Sequence, residues 1–496
     1  MAGDKQIAVV GAGISGLLAC KHLMEKGFRP VVFESRSCVG GVWAFQTVES
    51  TKLQTPKTYY QFSDFAWPPS VTAAFPDHNQ VWQYIYSYSV YFNLIPAIKF
   101  NHKVVAIDYS LPLDDEKICG WDEWGGNGGP FSVEGKWKML VQHTVYPLEA
   151  PKVFEVDFVI LCNGNYSDFP NVPQFPIDKG PKVFDGVAIH SMDYATMTTI
   201  DAAEFIKGKR VTVVGFQKSA IDIAVETVHW TVPEHLNELS FRNLNRFSEL
   251  MIHKPREGFF LWLLAILLYP LVTSSSFRQF FELIKHNMIP KHGFITQLAS
   301  CMLPVLPPNF YERVEEGSIV LKNSQSFHFS RNGIVLDDDP LPIETDIVIF
   351  ATGFRPDEKI AKIFKSTFFQ GCIFGSSTPF YRECIHPRIP QVAILGYSES
   401  PANLFATEMR SKWLAHFMAG NMKLPTISAM EEDTIKWEMC MRQYAFKSYK
   451  RACIGLLLQI HSNDLLCNDM GCNPRRKSWF LPELFAPYVP PDYANL

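Results

Sequence analysis

The stretch from Ile7 to Glu34 limits the fold more than any other. Ile7-Ala8-Val9-Val10 is a short unbroken apolar run of the kind that fills a parallel strand buried on both faces. Gly11-Ala12-Gly13-Ile14-Ser15-Gly16 follows, then a helical pattern from Leu17 to Lys26 that Gly27 closes. A second apolar run, Pro30 to Phe33, ends at Glu34. In this order the first glycine permits a tight turn, Gly13 lets a pyrophosphate approach the backbone, and Gly16 lets the helix pack on the strand. The helix N-terminus presents free N–H groups and a positive dipole end to the phosphates. Glu34 is spaced to accept bonds from ribose hydroxyls. Strand, glycine turn, helix, strand and acid together predict an α/β dinucleotide-binding unit. Gly40-Gly41-Val42-Trp43, just past the acid, lets the chain pass close to a flavin, so Gly41, Val42 and Trp43 favour FAD over NAD.

The pattern returns at Arg210 to Asp222. Val211-Thr212-Val213-Val214 reads as a buried strand and Gly215-Phe216-Gln217-Lys218-Ser219-Ala220 as a phosphate turn. Gln217 holds the place of the second glycine, where a side chain crowds a pyrophosphate unless it turns aside. Ala220, in the third place, still permits close packing. Lys218 and Ser219 open the next helix. The strand that follows, Leu239-Ser240-Phe241, ends at Arg242 rather than at an acid. An arginine there, with Lys218 and Arg246 nearby, favours a ribose 2′-phosphate, hence NADPH over NADH.

Two more segments join an acid, a buried strand and a glycine turn: Asp157 to Gly164, and Asp346 to Gly353 through Thr352. Both read as strands returning beside the first nucleotide strand, each placing a glycine near the flavin. The second unit is then inserted into the first. The expected architecture is α/β, with two nested Rossmann-like dinucleotide-binding domains. The FAD domain occupies 1–195 and 335–496, and the NADPH domain 196–334. A chain of 496 residues is too long for one ordinary core, which agrees with this division.

Composition removes several classes. A formal charge of −4 gives no polyanion-binding signal, so nucleic acid is not expected as a partner. The 11 cysteines are scattered and none has metal-ligand spacing; Cys467 and Cys472 stand five apart. A reduced intracellular setting is expected, cytoplasmic or on the cytoplasmic face of the endoplasmic reticulum. The chain runs into its first strand with no charged-then-apolar leader, so no secretory signal is expected. Phe259 to Val272 is apolar except for Pro270 and falls short of the roughly 20 residues of a spanning helix. Two readings stay open for it: a helix lining a substrate entry or packing on the core, and a segment in peripheral contact with a membrane surface.

With both units in place, the chain resembles the flavin-containing monooxygenases along nearly its whole length. Phe184-x-Gly186-x-x-x-His190-x-x-x-Tyr194 is similar to the fingerprint of that family and differs from the Baeyer–Villiger form, which ends in tryptophan. Glu34 to Trp43, Phe62-Ser63-Asp64-Phe65, Cys162-Asn163-Gly164, Asp346 to Phe354 and Glu408-x-Arg410-x-x-Trp413 resemble family segments in family order. Gly215 to Asp222, Leu404 to Trp413 and Cys467-Asn468-Asp469-Met470-Gly471 are most like the plant branch that includes the pipecolate N-hydroxylase. The resemblance implies FAD, NADPH and O2. NADPH reduces the flavin, oxygen adds at its C4a carbon, and one oxygen atom passes to a soft nucleophile.

The first expectation is N-hydroxylation of a small amine or amino acid. S-oxygenation of a thioether and a non-oxygenating flavoprotein that binds both nucleotides remain alternatives. Many family members carry an asparagine near the flavin just before the Ser-Asp-Phe segment, where this chain has Gln54. Its amide has the same chemistry on a longer arm, which makes Gln54 the catalytic candidate. His190 has two readings, a linker that keeps the two domains in register and a catalytic acid or base. Oligomeric state is left open by the sequence.

Overall fold

The computed structural model describes residues 4–110, 127–131, 135–215, 218–226, 244–250, 254, 259–260, 263–264, 267, 310–337, 339–375, 380–398, 400, 402–442 and 458–496. Its first sheet has five parallel strands. β1 (Ile7–Val10) leads through α1 (Ile14–Glu25) to β2 (Val31–Phe33). The chain continues through the one-turn α2 (Val42–Phe45) and through α3 (His78–Tyr91) to β3 (Ile98–Lys99). α3 begins where a sequence signal places it: Asp77 accepts from Gln80 N at 2.9 Å and Gln80 returns the bond. An antiparallel layer, β4 (His102–Tyr109), β5 (Trp137–His143) and β6 (Lys152–Val156), precedes β7 (Phe158–Leu161). β7 pairs with β1, and β14 (Val392–Ile394) extends the sheet beyond β7, giving the order β14-β7-β1-β2-β3. β1 and β7 are buried at every position, which their unbroken apolar sequences require.

The second sheet is smaller. β8 (Val187–His190) leads into α4 (Ser191–Tyr194), β9 (Val211–Val214) into α5 (Lys218–Glu226), and α6 (Arg246–Glu249) follows. An antiparallel trio, β10 (Phe327–Ser330), β11 (Gly333–Leu336) and β12 (Asp339–Glu344), delivers the chain to β13 (Ile347–Phe350). β13 lies between β8 and β9, parallel to both. This corrects the expectation for Asp346 to Gly353, whose strand sits beside the second nucleotide strand rather than the first. The pattern of acid, apolar run and glycine is the same at Asp157 and Asp346, and nothing in it names the sheet. β8, from the Phe184 to Tyr194 segment, also belongs to this second sheet.

The further helices that bear on the sites are α7 (Pro356–Ala361), α8 (Asn403–Met418), α9 (Gln459–Asp469) and α10 (Phe480–Phe485). α8 packs along α1 and is buried almost all round, in one core with β1, α1, α3 and α9. No helix among the described residues is long and apolar enough to cross a membrane. Five residues of the 259–272 segment are described, and Phe259, Phe260, Leu263, Leu264 and Leu267 all expose their side chains. The rest of that segment lies outside the described residues.

Candidate dinucleotide sites

The first site is built at the carboxyl ends of β1, β2 and β7. Gly11 leaves β1 with φ of 107°, and a Cβ there would stand 2.5 Å from the Cys162 carbonyl oxygen at the end of β7. Gly16 is tighter: its Cβ would meet the Gly11 carbonyl oxygen at 1.8 Å, so only glycine lets α1 start against β1. Gly13 and Gly41 face each other, and a Cβ on Gly41 would come within 3.2 Å of the Gly13 Cα. Gly41 precedes α2, whose first two residues are Val42 and Trp43; the Trp43 Nε1 donates to the Tyr60 hydroxyl at 2.9 Å. Glu34 is buried, and its carboxylate accepts from Ala12 N at 2.6 Å and Arg36 N at 2.9 Å. The acid is thereby fixed at the glycine turn, as a ribose ligand must be. Gly164 follows β7 with open space where a Cβ would lie. A backbone cradle between Gly13 and Gly41, a helix N-terminus and an anchored acid fit the phosphates and ribose of FAD.

One residue that shapes this site had no signal in the sequence. Lys359, on α7, donates to the Asn163 carbonyl at 2.5 Å and the Ser167 hydroxyl at 2.6 Å, and pairs with Asp168 at 2.7 Å. It pins the loop that carries Gly164. Burial lowers the Lys359 pKa, opposed by Asp168, whose own pKa is held down against its burial by that lysine. Gln54 is half-buried between the buried Leu53 and Thr55, on the loop leading to Tyr60.

The second site repeats the first at the ends of β9 and β13. A Cβ on Gly215 would stand 2.4 Å from the Ala351 carbonyl oxygen, as Gly11 stands to Cys162. Thr352 and Gly353 follow β13 as Asn163 and Gly164 follow β7, so these two predicted residues join Gly215 rather than Gly11. Lys218 and Ser219 open α5, and the Lys218 ammonium pairs with the buried Asp222 at 2.5 Å. Gln217 and Arg242 lie outside the described residues. Arg246 does not face this site: its guanidinium forks onto Asp464 and also binds Glu483, both in the C-terminal region. Carboxylates more than two hundred residues away claim it, which no local pattern reveals.

The fingerprint segment packs against the second sheet. A Cβ on Gly186 would lie 2.4 Å from both the Asp346 carbonyl oxygen and the edge of the Phe184 ring, so the segment folds flat onto β13. His190 is buried; its Nδ1 accepts from Met192 N at 3.1 Å and its Nε2 donates to the Gly353 carbonyl at 3.1 Å. Burial lowers its pKa, and both ring nitrogens are used as neutral imidazole would use them. Tyr194 packs beneath α5 and β13 with Ile223, Ile347 and Ile349. Both of these His190 bonds lie within the second unit. The Ser63-Asp64 and Glu408 to Trp413 segments also meet each other, since Glu408 accepts from Ser63 N and Oγ at 2.8 and 2.7 Å. Lys412 donates to the same hydroxyl at 3.0 Å.

A family model described as flavin-binding monooxygenase-like matches residues 4–481. A flavin-containing monooxygenase of Arabidopsis thaliana is 35% identical over 99% of this chain and 96% of its own length. Among solved structures, S-allyl-L-cysteine S-oxygenase from Allium sativum covers 95% of this chain and 89% of its own, with a TM-score of 0.56 and 18% identity. OTEMO in complex with FAD and NADP covers 92% of this chain and 93% of its own, with a TM-score of 0.58 and 15% identity.

Proposed function

Since the chain belongs to the flavin-binding monooxygenase-like family, oxidoreductases that use FAD, NADPH and O2, we propose that it N-hydroxylates a small amine or amino acid. The observation that carries this reading is the presence of two matching nucleotide turns in one chain, Gly11 closing on the Cys162 carbonyl and Gly215 on the Ala351 carbonyl. The likeness to the plant branch at Gly215 to Asp222 and Leu404 to Trp413 directs it toward nitrogen. When bound, FAD would supply the redox chemistry, with NADPH as the two-electron donor, one oxygen atom of O2 going to the substrate and the other leaving as water.

The residues divide between the two cofactors. Gly11, Gly13 and Gly16 accommodate the FAD pyrophosphate, Glu34 its ribose, and Gly41, Val42, Trp43 and Gly164 its flavin end. Gly215, Gln217, Lys218, Ser219, Thr352 and Gly353 surround the NADPH pyrophosphate, with Arg242 on the 2′-phosphate. Lys218 must release Asp222, or share it, to reach a phosphate. Gln54 offers an amide that holds oxygen or the nicotinamide by hydrogen bonds. The free cysteines among the described residues favour an intracellular, reducing location.

S-oxygenation is the second reading, favoured by the fold shared with the Allium sativum S-oxygenase. Purified protein incubated with NADPH, labelled O2 and panels of amines and thioethers separates the two. A gain of one labelled oxygen on an amine supports N-hydroxylation, and a gain only on thioethers selects the second reading. NADPH consumption that yields only hydrogen peroxide with every candidate overturns both and leaves a non-oxygenating flavoprotein.

A further inference from the structure

The segment 244–250 begins two residues after Arg242, the expected ribose end of the second nucleotide unit, and it docks on a distant part of the chain. The Leu244 carbonyl accepts from Tyr488 N at 2.9 Å, and Leu244 packs with Tyr59 and Val489. Asn245 caps α6 by accepting from Ser248 N at 2.9 Å. The Arg246 Nε donates to Glu483 at 2.5 Å and to the Tyr488 hydroxyl at 3.2 Å. Its terminal nitrogens donate to both Asp464 oxygens and to the Pro474 carbonyl at 3.0 Å. Phe247 stacks near Phe485, with ring centres 5.0 Å apart. Glu249, buried, accepts from Ile460 N at 2.6 Å and His461 N at 3.0 Å, the second and third backbone donors of α9. α9 has no side-chain cap of its own at Leu458, so Glu249 supplies the missing acceptor from another part of the chain.

This amount of fixed chemistry on seven residues needs a reason. In the first unit the ribose acid is held from within: Glu34 binds its own glycine turn through Ala12 N, and Glu34 N donates to Lys99 O at 3.0 Å on the neighbouring strand. In the second unit Arg242, the expected counterpart of Glu34, stands two residues before Leu244 in the sequence, and the side chains of α6 are held by residues of α9 and α10. α9 belongs to the core of the FAD half, because Ile460, Leu466 and Cys467 pack there with α1 and α8. The bidentate Arg246–Asp464 pair gives angular as well as distance control.

We propose that residues 244–250 form a docking clamp in which Arg246 and Glu249, gripped by the C-terminal helices, position the ribose end of the NADPH unit. They are positioning residues, with no contact to the nucleotide required. The clamp rests on NADPH use by the second unit and is independent of which substrate is oxygenated. It ties nicotinamide-nucleotide affinity to the C-terminal region, so a change in α9 or α10 is read out as a change in NADPH binding.

The test is anaerobic bleaching of the FAD absorbance in the purified holoprotein, followed against NADPH concentration without any substrate. Arg246→Met and Glu249→Leu should each raise the half-saturating NADPH concentration about tenfold, the effect of losing one buried charge-assisted contact. FAD content and the limiting bleaching rate should stay near those of the parent. Arg246→Lys should recover part of the loss, and Glu249→Gln, which keeps an acceptor for α9, most of it. Unchanged half-saturation in both loss variants overturns the clamp. So does a parallel loss of FAD and thermal stability in every variant with unaltered NADPH dependence, which is what mere structural support produces. A parent holoprotein that NADPH does not bleach refutes the cofactor reading itself, a result distinct from failure of the clamp.

Discussion

The units built on β1 and on β9 share their framework almost bond for bond. Asp157 Oδ2 accepts from Gln6 N at 2.8 Å, and Asp346 Oδ2 accepts from Arg210 N at 2.8 Å. The backbone N–H of Asp157 returns to Gln6 O, and that of Asp346 to Arg210 O, each at 2.8 Å. At the far end Cys162 N donates to Val10 O and Ala351 N to Val214 O, each at 2.9 Å. The units diverge where a nucleotide would lie. Gly13 is matched by Gln217, Gly16 by Ala220, and Glu34 by Arg242. The acid that starts the second strand and the first glycine of the turn are thus requirements of strand packing, common to both. The third position answers to how closely each helix starts against its strand, 1.8 Å from a Cβ to the Gly11 carbonyl in the first unit, and the second position and the charge at 34 or 242 are where a ligand would decide the residue.

The sharpest way to break this comparison is at the third turn position. In Gly16→Ala the new Cβ overlaps the Gly11 carbonyl, 1.8 Å away, so α1 must shift off β1. Such overpacking costs about 1–3 kcal/mol and moves the N–H groups proposed to face the pyrophosphate. Gly16→Ala should be purified without bound FAD, as flavin absorbance per chain after gel filtration would show. Ala220→Gly in the second unit should keep full FAD content and lose only about 0.5–1 kcal/mol of stability. A Gly16→Ala protein that retains stoichiometric FAD would show that the two turns are more alike than their residues suggest.

The strand-end charges come next. Glu34→Gln weakens two charge-assisted backbone bonds and the ribose contact proposed for this acid, worth about 1.5–3 kcal/mol, so FAD affinity should fall by about tenfold or more. Equilibrium dialysis against free FAD measures it. Arg242→Gln should leave FAD content intact and erase most of the preference for NADPH over NADH, again by about tenfold. Steady-state oxidation of the two coenzymes gives the ratio. If Arg242→Gln left that ratio untouched, another cation would have to read the 2′-phosphate.

Much of this framework was legible because it is local. The apolar run at Ile7, the turn at Gly11 and the acid at Glu34 lie within one supersecondary unit, and short-range rules of packing and dihedral angle govern them. What the sequence hid is what depends on distant pairing. β13 repeats the pattern of β7, and only its register against Val187 and Val211 assigns it to the second sheet. Arg246 looked like a phosphate ligand because it stood four residues from Arg242, while its partners Asp464 and Glu483 are remote in sequence. α8 carries Glu408, Arg410 and Lys412 inside the core, each 3% exposed or less, so no apolar stripe distinguishes its faces. Its charges are matched instead by Ser63, Glu383 and the Tyr493 carbonyl.

A smaller effect separates the two units by pH. Burial raises the Glu249 carboxyl pKa to about 7, with Lys254 and the Ile460 and His461 N–H groups opposing and Asp464 adding to the rise. A folded-state pKa above the unfolded one means that the protonated form favours the folded state. This contribution is full below the unfolded carboxyl value of 4.5 and is lost as pH rises through about 7. Glu249→Gln should remove that portion of the slope, so the melting temperatures of parent and variant should converge or diverge across this window and run parallel above it. Parallel curves throughout would mean that Glu249 ionises as it does in the unfolded chain.

The smallest effect expected concerns Gln217. The first unit has Gly13 at this place, facing Gly41 across a gap that a Cβ would nearly close. If the second unit binds its pyrophosphate along the same path, the Gln217 side chain must turn away, at the entropic cost of holding a glutamine in few rotamers. Gln217→Gly removes that restriction and should lower the half-saturating NADPH concentration only about two- to threefold, because the new glycine also loosens the unliganded turn. The opposite sign is equally informative. A rise in half-saturation would make the Gln217 amide a ligand, turning the departure from glycine into a contact that the first unit lacks. The anaerobic bleaching assay decides between these outcomes, and FAD content serves as the control because the first turn is unaltered.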